Sequence, residues 1–431
     1  NPLPQLRQPE AGAGRAPARG MALQRLIGAR NGEFPARPNA MRLRHPKRQP
    51  AGTGRRSPGA FGLIPGVNAL RAFKIIFYCG LLRRETHQLG GPAAAMATIR
   101  QMTRAYTTRD NRTATLNVVA TLAVYMASLL GAIVLFQNGH WYLGLPAMAV
   151  SAICGVRIYM LQHDCGHGSY FTSRRVNDFV GRLLSPFSLT PFNATRYNHN
   201  LHHRHIGDLD RRESSEIYVM TTAEYREASL ARRLGYRFYR SFFVLFLVGP
   251  TLLYVIQYRF PKNARKAGLA DLWVHNAMVA AFLAALWLGF GWTGLAVWLG
   301  SVAMAVSTGV LIPYVHHNFE TVYWGRKPGH DFETAAMEGS AVLDFGRFFD
   351  LCTANIAYHD LHHLNANIPS YNLKCCHRDL SPHFNPVRIG LIDGLRCIRW
   401  KLWDEKTGRM VTFPPLVAEL RGRKPAVTPA E

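Results

Sequence analysis

Four long stretches of this chain are almost purely apolar. Leu116–Phe136 is uncharged over about 20 residues, enough for a helix to span a bilayer. Trp141–Met160 carries one charge, Arg157, close to its end. Leu272–Phe290 and Thr293–Val315 contain neither acid nor base. Two short uncharged turns, Gln137–His140 and Gly291–Trp292, divide these runs into two hairpins. Ser241–Gln257 is a fifth, shorter apolar run broken by Gly249-Pro250. The pattern predicts an all-α integral membrane protein with four transmembrane helices.

The polar remainder is organised around those spans. Residues 1–60 are rich in Pro, Gly, Ala and Arg and have no apolar period, a composition of disorder. Ala69–Leu82 reads as a basic amphipathic helix too short to span. The order of charges and apolar residues is not that of a signal peptide. Residues 1–95 are therefore expected to be a basic, disordered extension, either a translated region upstream of a start at Met96 or a dispensable tail; a lipid-binding arm is the alternative. Residues 96–405 form the membrane domain, and 406–431 a tail. Within 385–403, apolar residues at helical spacing alternate with basic ones, which predicts a helix lying in the membrane interface or on the surface of the cap.

Charge and cysteine content narrow the class. The formal net charge is +25. Residues 1–95 hold sixteen Lys and Arg against three acids, and much of the rest lies in loops between spans. That distribution suits anionic lipid and the positive-inside rule, and no nucleic-acid module accompanies it. The seven cysteines form no C-x-x-C pair and are odd in number, so neither a disulfide framework nor a thiolate metal site is expected. A reducing cytoplasmic face fits them.

The candidate chemistry lies in nine histidines. His163 and His167 read H-x-x-x-H; His199, His202 and His203, and likewise His359, His362 and His363, read H-x-x-H-H. Helical residues three and four apart share a face, so each group can aim its rings at one point. His317 follows the last apolar run. Neutral imidazole suits Fe, Cu, Zn and Ni, and eight or nine ligands exceed the four to six of one ion. The count asks for a di-metal site. Asp164, Asp208, Asp210 and Asp360, inside or beside the groups, are candidate acceptors for the second ring N–H. Gly166 permits close approach of a helix or substrate. His45, His87, His140, His275, His330, His377 and His383 read as surface or capping residues, while His205 and His316 flank the groups.

The motifs HDCGHGSYF (His163–Phe171), NHNLHHRHIGDLDRR (Asn198–Arg212), YVHHNFETVYW (Tyr314–Trp324) and NIAYHDLHHLNANIPSYNL (Asn355–Leu373) resemble those of the integral-membrane fatty acid desaturases. The resemblance is to the bacterial acyl-lipid type related to the Δ12/ω-6 enzymes, in box type, order and spacing, over about 105–405. It implies two non-haem iron ions held by His163, His167, His199, His202, His203, His359, His362 and His363. His317 matches an additional family histidine. It also implies O2 as co-substrate, a lipid-linked or thioester-linked acyl chain as substrate, and a cis double bond as product. The acyl-CoA branch of that family has Asn where this chain has Pro313. No haem-binding HPGG motif is present, so electrons are expected from a separate, ferredoxin-like protein. Two other readings use the same residues: a membrane di-iron hydroxylase or ketolase acting on carotenoids or alkanes, and a metal-binding scaffold or transporter. The scaffold would need ionisable residues inside the spans, which are nearly bare of them.

Shared ligation fixes the expected topology. All boxes must lie on one side, so the crossings between His203 and His317 are even in number, and Ser241–Gln257 does not cross. Arg259, Lys262, Arg265 and Lys266 place its end on the cytoplasmic side. The outcome is a cytoplasmic helical cap, 161–271 and 316–431, on the inner membrane of a bacterium.

Overall fold

The computed structural model describes residues 98–214 and 217–420. The basic extension, with the helix expected at Ala69–Leu82, lies outside the described residues.

Helix α1 spans Asn111–Gln137. Asp110 caps it, accepting hydrogen bonds from the Arg112 N–H at 3.0 Å and the Thr113 hydroxyl at 2.6 Å. Helix α2, Trp141–His167, returns beside it. The second helix outlasts its apolar run and carries the first histidine pair on its final turns. Gly168, at φ 70°, ends it in the left-handed conformation. Helix α3 (Arg174–Ser188) is amphipathic and leads to α4 (Phe192–Arg204), which bears the second group. The two meet closely: a Cβ on Gly181 would sit 2.1 Å from the Phe192 ring.

Helix α5 (Leu230–Tyr239) is followed, after a 50° bend, by the helical stretch Phe243–Arg259. The Phe246 ring lies 5.0 Å from that of Tyr314. At the other end Arg259 meets His275 Nε2 at 2.8 Å and the Leu189 carbonyl at 2.7 Å. Both ends of this apolar stretch thus sit at the histidine-bearing end of the bundle.

Helix α6 covers Leu269–His317 but is broken at Gly291, where φ is 60° and ψ is −148°. Only glycine adopts that conformation without strain. A Cβ on Gly294 would lie 2.9 Å from the Leu286 carbonyl oxygen. Eight residues along a straight helix would be separated by about 12 Å, so the chain reverses at Gly291. The two halves form the second hairpin. Gln137 donates to the Phe290 carbonyl at 3.2 Å, which sets the two hairpin turns side by side. Ser151 bonds Ser301, and a Cβ on Gly155 would meet Ala305 at 3.3 Å. Helix α2 and the second half of α6 therefore run parallel, and both deliver histidines to the same end. By length and composition α1, α2 and α6 are each able to cross a membrane.

The rest of the chain covers that end. It contains α7 (Phe332–Glu338), α8 (His359–Leu364) and α9 (Ser370–Leu380). Five short strands knit the ends of this layer: β1 (Met220–Thr221), β2 (Val342–Asp344), β3 (Arg388–Gly390), β4 (Leu402–Asp404) and β5 (Arg409–Val411). β2 pairs in parallel with β3; β4 lies between β1 and β5. The single interfacial helix expected over 385–403 does not form. Backbone pairing of Arg388–Gly390 and Leu402–Asp404 leaves room for helical turns only at Leu391–Arg399. Leu391, Ile392 and Leu395 still face outward. The folded unit also runs past residue 405, since Met410 and Val411 are buried and Phe413 packs on Tyr225.

Arg240 braces this layer. It is fully buried and donates to the carbonyls of Tyr218 and Trp400 and to Asn318 Oδ1, at 2.9, 3.0 and 2.8 Å. A buried guanidinium is tolerable only with such multiple acceptors.

Candidate metal centre

All nine histidines singled out in the sequence converge under the cap. Helix α2 supplies His163 and His167, α4 supplies His199, His202 and His203, and α8 supplies His359, His362 and His363. His317 comes from the last residue of α6. The spacings i, i+3 and i, i+4 put each set on one helix face, as the 3.6-residue turn requires.

The rings divide into two sets. In the first, His163 Nε2 lies 2.8 Å from His199 Nε2 and 3.3 Å from His167 Nε2. His203 Nε2 is 2.9 Å from His199 and 3.1 Å from His362. These five residues could hold a metal ion, and so could His202, His317 and His363. His359 joins the second set: the Nε2 atoms of His317, His359 and His363 form a triangle with sides of 3.1, 3.2 and 3.1 Å.

Such crowding has no satisfactory solution among imidazoles alone. Each ring nitrogen carries at most one proton, which serves one neighbour, while the other nitrogens in the triangle face lone pair to lone pair. A point about 1.8 Å from all three corners lies within the reach of an imidazole–metal bond, ~2.0–2.1 Å. The donor set therefore fits cations. Burial, and then the neighbouring rings, push His203, His359, His362 and His363 well below the usual imidazole pKa. They stay neutral at pH 7, the form that ligates a metal.

The flanking residues sort less simply. His317 Nδ1 donates to the Gly339 carbonyl at 2.8 Å, which turns Nε2 toward the second set. His316 instead donates to the Ala341 carbonyl at 2.9 Å and stacks on His359. Asp164 Oδ1 lies 3.2 Å from His163 Nδ1, and its Oδ2 accepts the Ser370 N–H at 2.7 Å. Asp360 makes a different contact. Its Oδ1 accepts the Leu361 N–H at 2.7 Å, and burial pushes the carboxyl up to about 7. Asp208 stays 3.9 Å from His205 and caps Asp210 N–H, while Asp210 pairs with Arg326. Gly166 is not crowded, since a Cβ there would meet Arg196 at an ordinary 3.7 Å. His275 and His377, read as surface or capping residues, are buried; His275 bonds Ser185 Oγ at 3.0 Å and the His377 ring lies tilted against Tyr358, 4.8 Å between centroids.

Sequence reasoning missed two features. The carbonyls of Gly339 and Ala341 orient the two α6 histidines, but a backbone acceptor leaves no residue-type signal. An apolar cavity also adjoins His202 and His317, lined by Ile206, Ile217, Val219, Pro313, Val322 and Trp324. Its walls come from four separated segments, so no local pattern marks them.

Comparison with known proteins agrees with this geometry. The family model described as fatty acid desaturase matches residues 139–392. A fatty acid desaturase of Bacillus subtilis (strain 168) is 32% identical over 288 residues, covering 64% of this chain and 82% of the relative. This chain belongs to the fatty acid desaturase family. An sn-1 oleoyl-lipid 12-desaturase of Synechocystis is 26% identical over 312 residues, 69% of this chain and 83% of the relative. An sn-1 acyl-lipid omega-3 desaturase (ferredoxin) of Nostoc is 26% identical over 234 residues, 50% of this chain and 61% of the relative. The protein is an oxidoreductase, a fatty acid desaturase of the integral-membrane type, with a histidine-rich metal site.

Proposed function

We propose that this desaturase places a cis double bond in a lipid-linked acyl chain, using two iron ions, O2 and two electrons from a ferredoxin-type protein. One iron is held by His163, His167, His199, His203 and His362, the other by His202, His317, His359 and His363. The reading rests on one observation: nine imidazoles in two convergent sets, beside an apolar cavity. When bound, the iron pair supplies the oxidising power to remove hydrogen from an unactivated methylene. The balance is –CH2–CH2– plus O2, two electrons and two protons, giving –CH=CH– and two waters.

The chain's own residues bind and orient. Ile217, Val219, Val322 and Trp324 exclude water and hold the acyl methylenes against His202 and His317. Pro313 contributes a wall where the acyl-CoA branch has an amide. Asp164 and the Gly339 carbonyl accept the outer N–H of His163 and His317 and so fix which ring nitrogen faces inward. The acyl-lipid substrate and the donor class follow the names of relatives.

The same reading takes α1, α2 and the two halves of α6 as four crossings in two hairpins. The histidine-bearing cap then lies on the cytoplasmic face of a bacterial inner membrane. Both ends of Phe243–Arg259 contact the same end of the bundle, which supports an in-plane course for it. The test is expression in a host that makes only saturated and monounsaturated lipids. Fatty acid profiling is expected to reveal a new cis double bond. A retained oxygen atom in the product instead would make the protein a hydroxylase.

A further inference from the structure

A basic surface lies directly against one of the histidine helices. Lys262, Arg265 and Lys266 are exposed in the loop that leads into α6. Carboxylates packed on α3 and α4 are already engaged, Asp178 by Arg174 and Arg196, and Asp271 by Arg182. The three loop cations pair with no acidic side chain among the described residues.

The loop is held in place rather than merely present. Asn198 Nδ2 donates to the Lys262 carbonyl at 3.1 Å, and Asn263 Nδ2 donates to Asn198 Oδ1 at 2.7 Å. Asn263 takes the left-handed conformation, φ 63°, to make this contact. At the far end a Cβ on Gly268 would lie 3.9 Å from the Asn193 amide. The stretch Ala264–Ala267 thus lies alongside residues 194–197 of α4. His199 directly follows Asn198, and a narrow cleft lined by Gly166, Thr195, Arg196 and Asn200 reaches His163, His167 and His199. His199 is half-buried and Asn200 exposed. The five-histidine set therefore approaches water on the side where the basic loop sits. The apolar cavity adjoins the other set.

We propose that Lys262, Arg265 and Lys266 form the docking surface for an acidic electron-carrier protein. The proposal rests on the desaturase reading, which needs two external electrons per double bond. Electron transfer weakens steeply with distance, so a donor must dock where the histidines come nearest the surface. Basic side chains there attract an acidic partner and speed its encounter. Anionic lipid would be drawn to the same charges. Lipid attraction alone, however, needs no fixed geometry, whereas two amide hydrogen bonds and a left-handed Asn263 hold this loop against the His199 helix.

The test uses the full chain in nanodiscs of zwitterionic lipid, with a reduced acidic [2Fe–2S] ferredoxin as probe. In the variant K262E/R265E/K266E, KM for ferredoxin is expected to rise about tenfold or more and to lose its salt dependence. The kcat at saturating ferredoxin should stay near wild type. Carbodiimide cross-linking, which is independent of turnover, should join ferredoxin carboxylates to Lys262 or Lys266. An unchanged KM with cross-links elsewhere would overturn the proposal. So would a defect that appears only in discs containing anionic lipid, because the loop would then serve headgroups. If the wild-type protein forms no double bond with any reductant, the desaturase reading itself fails; wild-type turnover with an indifferent variant sinks only the docking surface.

Discussion

The Nε2 atoms of His203 and His362 lie 3.1 Å apart although 159 positions separate the two residues. His203 Nε2 also lies 2.9 Å from His199 Nε2, and a neutral ring nitrogen, with one proton or one lone pair, does not satisfy both neighbours, whereas a cation between them would. Purified protein is therefore expected to carry about two iron atoms per chain, the stoichiometry set by nine imidazoles. Metal analysis after purification without chelator checks this. A reproducible value of one or less with full activity would rule out a paired site.

His163→Ala, His202→Ala and His362→Ala each remove one ring from these sets. Activity should fall by more than the ~100-fold that losing an outer partner costs. Membrane insertion should persist, because the apolar helices carry it and the boxes do not. Fatty acid profiling beside an immunoblot of the membrane fraction separates the two effects.

His316 and His317 are neighbours with different partners. His317→Ala should lower iron content and abolish desaturation, since its Nε2 is a corner of the second triangle. His316→Gln should retain most activity, because the amide can still donate to the Ala341 carbonyl that His316 now reaches. Equal losses in both variants would assign the two residues a common role.

How far the sequence reached can be judged from particular residues. The apolar runs mark α1, α2 and both halves of α6, because lipid-facing helices need uninterrupted side chains. The i, i+3/i+4 spacing of the histidines survives into the structure because it is local. Their division into two sets is not local: His202 and His203 are adjacent, yet His203 Nε2 lies 3.1 Å from His362 Nε2 while the His202 ring lies 5.0 Å from those of His317 and His363, partners that no local pattern names. Residues 385–403 misled for the same reason. Helical spacing there coexists with two strand pairings whose partners, Val342–Asp344 and Met220–Thr221, lie far away in sequence. His275 looked like a surface residue because nothing nearby foretells Ser185 and Arg259 closing over it.

Asp164 links the first box to the chain after the third, through His163 Nδ1 and the Ser370 N–H. Asp164→Asn removes the charge that favours an outward proton on His163. A loss of about 10–100-fold in iron affinity is expected. Iron titration of the metal-free variant measures it; an unchanged affinity would show that the ring is oriented by packing alone.

Arg259 and the loop behind it test the architecture. Phe243–Arg259 contacts Tyr314 near its start and His275 at its end, and both belong to the histidine-bearing ends of α6. A stretch with both ends at one level is expected not to cross. The four basic residues Arg259, Lys262, Arg265 and Lys266 bias that level toward the cytoplasm. A cysteine introduced at Lys262, in a background stripped of native cysteines, should resist a membrane-impermeant thiol reagent in intact cells and react after permeabilisation. Labelling from outside would mean that Phe243–Arg259 spans the bilayer. The two halves of α6 could then no longer both cross, since His317 must return to the side of His203 to sit among its neighbours.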